Sequence, residues 1–159
     1  MDVKEITLPK RTYLTLRLAI QISQISEKKM YEDAGQKLGA YMKKNGIHPS
    51  GPWTVLYFGW NPVAGSADIG ISFPIDGLKS VDDPELALFE LPESKASMTA
   101  LIGPYEGLKE THQSLGGYVK QAGFETAGQS IFALEEYMVD PMTESDPKKW
   151  VTNVYHLHK

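Results

Sequence analysis

Apolar and polar positions alternate loosely through residues 5–22, which are rich in Ile, Thr, Leu and Tyr. This predicts a strand, bulged or kinked after Pro9. The period then changes. Ser26 and Glu27 read as an N-cap and an acidic first turn, and Met30, Ala34, Leu38, Tyr41 and Met42 follow at helical spacing. Lys43 and Lys44 put cations at the negative end of that helix, and Gly46 stops it. Residues 53–60 and 67–75 read as two strands. The second half repeats the order. Residues 94–102 predict a strand, and Gly103-Pro104 opens a helix with Leu108, His112, Leu115, Val119 and Ala122 on one face. Gly123 closes it, and strands follow at 130–139 and 150–157. The acidic, proline-containing stretch between reads as a connection, giving halves at 1–76 and 93–159 and a linker at 77–92.

The repeat is visible in the residues themselves. Leu38-Gly39-Ala40-Tyr41-Met42-Lys43-Lys44-Asn45-Gly46 parallels Leu115-Gly116-Gly117-Tyr118-Val119-Lys120-Gln121-Ala122-Gly123 at an offset of 115 − 38 = 77. Leu, Gly, Tyr, Lys and the final Gly recur in place, which favours duplication. A glycine inside a helix costs about 1 kcal/mol against alanine, so its recurrence predicts close backbone packing there. The fold class expected is α+β: duplicated β-α-β-β halves with pseudo-two-fold symmetry, antiparallel sheets, one helix packed per half and a central ligand cleft.

Composition narrows the function. The 159 residues suit a single domain, and a 42% hydrophobic share is enough for a core. The net charge of −4 argues against a dominant nucleic-acid surface. With no cysteine there are no disulfides, thiolate zinc sites or cysteine nucleophiles. No apolar run approaches the roughly 18 residues of a membrane span, and Met1–Glu5 lack the features of a signal peptide. A cytoplasmic monomer without cofactor or membrane contact is expected.

Chemistry concentrates on residues 131–139. Alternation puts Ile131, Ala133, Glu135, Tyr137 and Val139 on one face and Phe132, Leu134, Glu136 and Met138 on the other. Each face is apolar but for one carboxylate. Spacing alone leaves Glu135 open between a surface residue paired with lysine and a pocket carboxylate beside apolar surface; Glu136 reads as the former. The offset of 77 makes Phe58 and Trp60 the counterparts of Glu135 and Tyr137, with Tyr57 beside them. Tyr57, Phe58, Trp60, Phe73, Tyr105, Tyr137 and Trp150 are the candidate aromatic walls, though core packing alone explains most aromatics. His156 and His158 share a strand face that can chelate a metal, but at this position read as a solvated tail; His112 reads as a core-edge residue. No metal site is expected, and no hydrolase triad, phosphate loop or zinc signature is readable.

Gly103-Pro104-Tyr105-Glu106-Gly107, then Glu135-Glu136-Tyr137-Met138-Val139-Asp140-Pro141 and a last strand from Trp150, closely resemble the GyrI-like small-molecule-binding family. Asp68-Ile69-Gly70 extends the likeness into the first half. The family includes effector-binding domains of multidrug-sensing activators and stand-alone gyrase-inhibitory proteins. The resemblance implies that Glu135 lies at the bottom of an aromatic pocket, as counter-charge for lipophilic cations. No winged-helix segment is readable ahead of this region, so no DNA contact is implied. The expected function is a stand-alone module binding lipophilic aromatic small molecules, cationic ones among them. Two alternatives stand beside it. One is a hydrolase of cyclopropane-bearing or related reactive compounds, with Glu135 as general acid–base. The other is a protein-interaction factor like the gyrase inhibitors, to which the acidic 82–93 stretch would contribute.

Overall fold

The computed structural model describes residues 1–128 and 130–159 and divides into two compact units. One comprises residues 10–92, the other residues 1–9 with 93–159. Both are α+β, an antiparallel sheet of four strands carrying one helix.

In the 10–92 unit, β2 (Arg11–Gln21), α1 (Lys28–Lys44), β3 (Thr54–Asn61), β4 (Ser66–Ile75) and β5 (Ala87–Leu91) give the strand order β3-β4-β2-β5. α1 lies against β2 and β4 and buries Ala34, Leu38 and Met42. Its N-cap is Glu27, without a side-chain bond, in place of the expected Ser26 cap. The strands cross closely at Gly70, where a Cβ would lie 2.7 Å from Thr15 Cγ2 and 2.9 Å from Phe58 Cε2. Beside it the buried Thr15 and Ser72 hydroxyls share a 2.7 Å hydrogen bond, so neither loses its partner on leaving water.

In the other unit, β1 (Lys4–Leu8), β6 (Ser94–Ile102), α2 (Leu108–Gln121), β7 (Ala133–Val139) and β8 (Val151–His158) give the order β1-β6-β8-β7. α2 lies against β6 and β8 and buries Leu115. A single 3-10 turn, Tyr105–Gly107, leads into it. Full burial of Leu38 and Leu115, the paired leucines of the repeat, is worth about 2 kcal/mol each.

The duplication carries into three dimensions, with two corrections. The stretch 5–22 forms two strands, because Pro9 breaks the run and β1 pairs with β6, Leu8 facing Ser94. The acidic connection likewise holds a strand: β5 pairs with β2, Leu91 facing Arg11. Leu8 and Leu91 stand at an offset of 91 − 8 = 83, each followed by proline, as do the β2 and β6 starts, Arg11 and Ser94. The opening strands of the two repeats are thus exchanged, each pairing with the second strand of the other. The acidic residues are held as well. Lys37 of α1 lies 3.0 Å from Asp83 and 3.4 Å from Glu85, and the Tyr41 hydroxyl donates to Asp82 at 3.0 Å.

The second correction concerns register. The helix ends match at 77, but β3 and β7 carry their bulges after Tyr57 and Tyr137, an offset of 137 − 57 = 80. The run from Gly123 to β7 is longer than that from Gly46 to β3. The counterparts of Glu135 and Tyr137 are therefore Val55 and Tyr57, not Phe58 and Trp60. The helix glycines are not required by packing either. Nothing lies within 4 Å of a Cβ built at Gly39 or Gly117, and at Gly116 the nearest atom, His156 Cε1, is at an ordinary 3.7 Å.

Candidate functional site

Strand alternation sorts the two carboxylates of β7 as expected, yet both are buried. Glu135 lies on the face beneath α2 and is 1% exposed. Its Oε2 stands 3.5 Å from His112 Nε2, and its Oε1 accepts a 3.4 Å hydrogen bond from the Tyr137 hydroxyl. Glu136 points to the opposite face, where the Tyr155 hydroxyl donates to its Oε1. It is buried, which corrects its reading as a surface residue. Burying a carboxylate without partners is costly, and each finds a phenol.

Three rings run outward from Glu135 through Tyr137. Tyr105 meets Tyr137 edge to face, centroids 5.5 Å apart, and stacks on Trp150 at 4.9 Å and 25°. Two backbone features hold this cluster. Gly103 has φ +129°, a conformation that favours glycine, and its N–H donates to the Trp150 carbonyl at 2.9 Å. The Trp150 indole N–H donates to the Glu144 carbonyl at 2.8 Å, which fixes the ring. Burial, then the charges of Asp140 and Glu135, push the Tyr105 phenol up to about 12, so it stays neutral.

His112 sits at the core edge, as expected, but His156 and His158 are not a solvated tail. His156 is partly buried beneath α2, its Nε2 2.9 Å from His112 Nδ1 and the two rings stacked. Burial, with the neighbouring His112 adding to it, holds the His156 imidazole down at about 4. His158 is buried too: it stacks flat on Phe124, and its Nε2 lies 2.7 Å from Glu5 Oε1. Ser97 donates to the other oxygen of Glu5 at 2.6 Å, so Glu5 fastens β1 to β6 and β8. Among the described residues no group of three His, Cys, Asp or Glu is placed to hold a metal. The His112 nitrogens address two different partners and do not converge with Glu135 on one ion.

Four of the eight predicted site residues, Glu135, Tyr137, Tyr105 and Trp150, thus gather in one cluster. The other four belong to the 10–92 unit. Tyr57 and Trp60 meet edge to face at 6.2 Å, and Trp60 is 43% exposed. Phe58 lies under the Arg17 guanidinium, 3.6 Å from ring centroid to carbon, and against Phe89 at 5.1 Å. Arg17 is held in turn by Asp68, at 2.6 and 3.2 Å. Phe73 is half-buried on β4, opposite Leu14. A shallow depression of about 360 Å³ in this unit is lined by Thr15–Leu18 and Pro84–Ala87, none of them a predicted site residue. His112 and His156 were missed as members of the cluster, as was Thr152. Thr152 pairs with Tyr137, and its buried hydroxyl has no hydrogen-bond partner among the described residues.

The chain belongs to the GyrI-like small molecule binding domain family, whose match covers residues 1–159. Solved structures share the fold. The C-terminal domain of EcmrR superposes with a TM-score of 0.84 at 14% identity, covering 99% of this chain and 97% of that one. In the EcmrR–DNA complex, this chain spans 57% of the EcmrR chain, with a TM-score of 0.83 at 15% identity. SAV2435 bound to tetraphenylphosphonium gives 0.71 at 13% identity, over 100% and 94% of the two chains. A hydrolase from Listeria innocua gives 0.66 at 16% identity, over 99% and 91%. No curated protein matches the chain in sequence. No helix among the described residues is long and apolar enough to cross a membrane.

Proposed function

We propose that this domain binds lipophilic aromatic cations, with Glu135 as counter-charge and Tyr105, Tyr137 and Trp150 as the aromatic wall. The observation that carries this is Glu135 itself, an almost fully buried carboxylate next to a three-ring cluster. A cation over an aromatic face gains about 0.5–2 kcal/mol per good contact. A desolvated carboxylate adds charge pairing that a neutral ligand cannot use. The tetraphenylphosphonium held by SAV2435 is a ligand of this class, and the shared fold makes it the natural probe.

Titration with tetraphenylphosphonium, followed by tryptophan fluorescence, tests the reading. Wild type is expected to bind saturably, and Glu135→Gln to lose about tenfold or more in affinity, the equivalent of about 1.4 kcal/mol. Wild type that fails to bind, or a variant that binds equally well, would sink the assignment.

A second reading, hydrolysis with Glu135 as general base, is favoured by its contact with the His112 imidazole. Incubation with reactive lipophilic compounds and analysis by mass separates the two: a converted compound, with conversion lost in Glu135→Gln, selects the enzyme.

A further inference from the structure

Resting on the binding reading above, we propose that His112 is the resident partner of Glu135, which a cationic ligand must displace. Binding is then coupled to release of a proton from His112, and affinity rises with pH. The geometry assigns this role to His112. Its ring sits between α2 and β7 with Nε2 3.5 Å from Glu135 Oε2, and its Nδ1 is held by His156. Whichever of the two rings carries the proton of that inner bond, the same edge of His112 faces the carboxylate. The His112 side chain is 24% exposed while Glu135 is 1% exposed, so the imidazole forms the lid side of the carboxylate. A ligand cation that reaches Glu135 takes its place.

Three side chains described above face this pair. His156 comes from β8, Tyr137 from β7 and Tyr105 from the turn before α2, with Asp140 acting on Tyr105. His156, held down at about 4, and Tyr105, pushed up to about 12, both stay uncharged near neutrality. A protonated His112 neutralises Glu135 and competes with the ligand; a neutral His112 competes weakly. A displaced imidazolium would sit beside a neutral histidine and a new cation, so it gives its proton to solvent.

The test is calorimetry of tetraphenylphosphonium binding in buffers of different ionisation heat, repeated between about pH 5 and 8. Wild type is expected to release up to about one proton in the acidic part of that range, and to bind about tenfold more tightly at its upper end. His112→Gln should release none and vary less than about twofold. His112→Lys, which keeps a fixed charge, should bind weakly throughout. Proton release that persists in His112→Gln would assign it to Glu135 and overturn the proposal while leaving the binding reading intact. Wild type that does not bind at all sinks both. A readout without ligand guards against a variant that fails to fold. The His112 ring signals, followed by NMR, should move in Glu135→Gln relative to wild type, and unchanged signals overturn the pairing.

Discussion

At the end of α1 the Ile47 N–H donates to the Met42 carbonyl at 2.8 Å, and Gly46 takes φ +64°. At the end of α2 the Phe124 N–H donates to the Val119 carbonyl at 3.2 Å, and Gly123 takes φ +76°. The two closures match bond for bond at the offset of 77, and both are the six-to-one closure of a Schellman cap. The residues under the helices do not match. Strand register makes Val55 the counterpart of Glu135 (offset 80), and Phe73 that of His156 (156 − 73 = 83, as for the paired Ile71 and Val154). Gly35 stands in α1 where His112 stands in α2. One unit therefore holds a carboxylate and two imidazoles where the other holds Val, Phe and Gly. Caps, bulges and leucine–proline strand ends are frame. They are set by backbone geometry and persist in both copies. The ionisable trio is not needed for the frame, since the 10–92 unit closes without it. That agrees with the binding role proposed for the trio.

Transplanting a group across the two units gives the largest effect. Val55→Glu places a carboxylate in a fully buried position whose neighbours are apolar, and should cost about 3 kcal/mol or more in urea unfolding. A loss under about 1 kcal/mol would mean that both units tolerate the charge, and the contrast would fail.

The next test is acid stability. The folded-state value of His156 is depressed from 6.5 to about 4, so between these values the unfolded chain holds a proton that the native one lacks. Stability is therefore lost as pH falls through that window, by up to about 3 kcal/mol. His156→Phe, which copies Phe73, should flatten that part of the curve when Tm is followed against pH. An equal acid loss in the variant would place the sensitivity elsewhere.

The smallest effect concerns the helix glycines. Gly39→Ala and Gly116→Ala should each stabilise by about 0.5–1 kcal/mol, because a methyl at either site meets open space or ordinary contact. Destabilisation at Gly116 alone would show that the helix over His156 has less room than its counterpart.

The parts of this molecule that were legible in the sequence are those with a local period. The alternation along 131–139 placed Glu135 and Tyr137 on one face, and the helix ends were marked by lysines and glycine. The pairing of β1 with β6 could not be read, because Lys4 and Met98 are far apart in sequence and nothing local names the partner. Val55 was hidden for a related reason. An offset taken from the helices does not survive a loop of changed length, and a shift of three residues also turns side chains to the opposite face. Burial of Glu136 depends on Tyr155, which the next strand brings alongside. His112 and His156 meet only because α2 lies across β8. Their types were visible, but not their proximity.

The exchanged opening strands also set an order of assembly during synthesis. Residues 10–92 form one uninterrupted length of chain, so every strand of that unit has a partner once Pro92 has been made. β1 is made before that unit, yet its partner β6 begins only at Ser94. At roughly 5–20 residues per second, it waits several seconds while the intervening unit completes itself. Through that interval Ile6 and Leu8 have no sheet to join, and Lys4 and Glu5 on the same short strand discourage pairing with other chains. Of the strands described here, β1 comes first along the chain, yet it is among the last to find its partner.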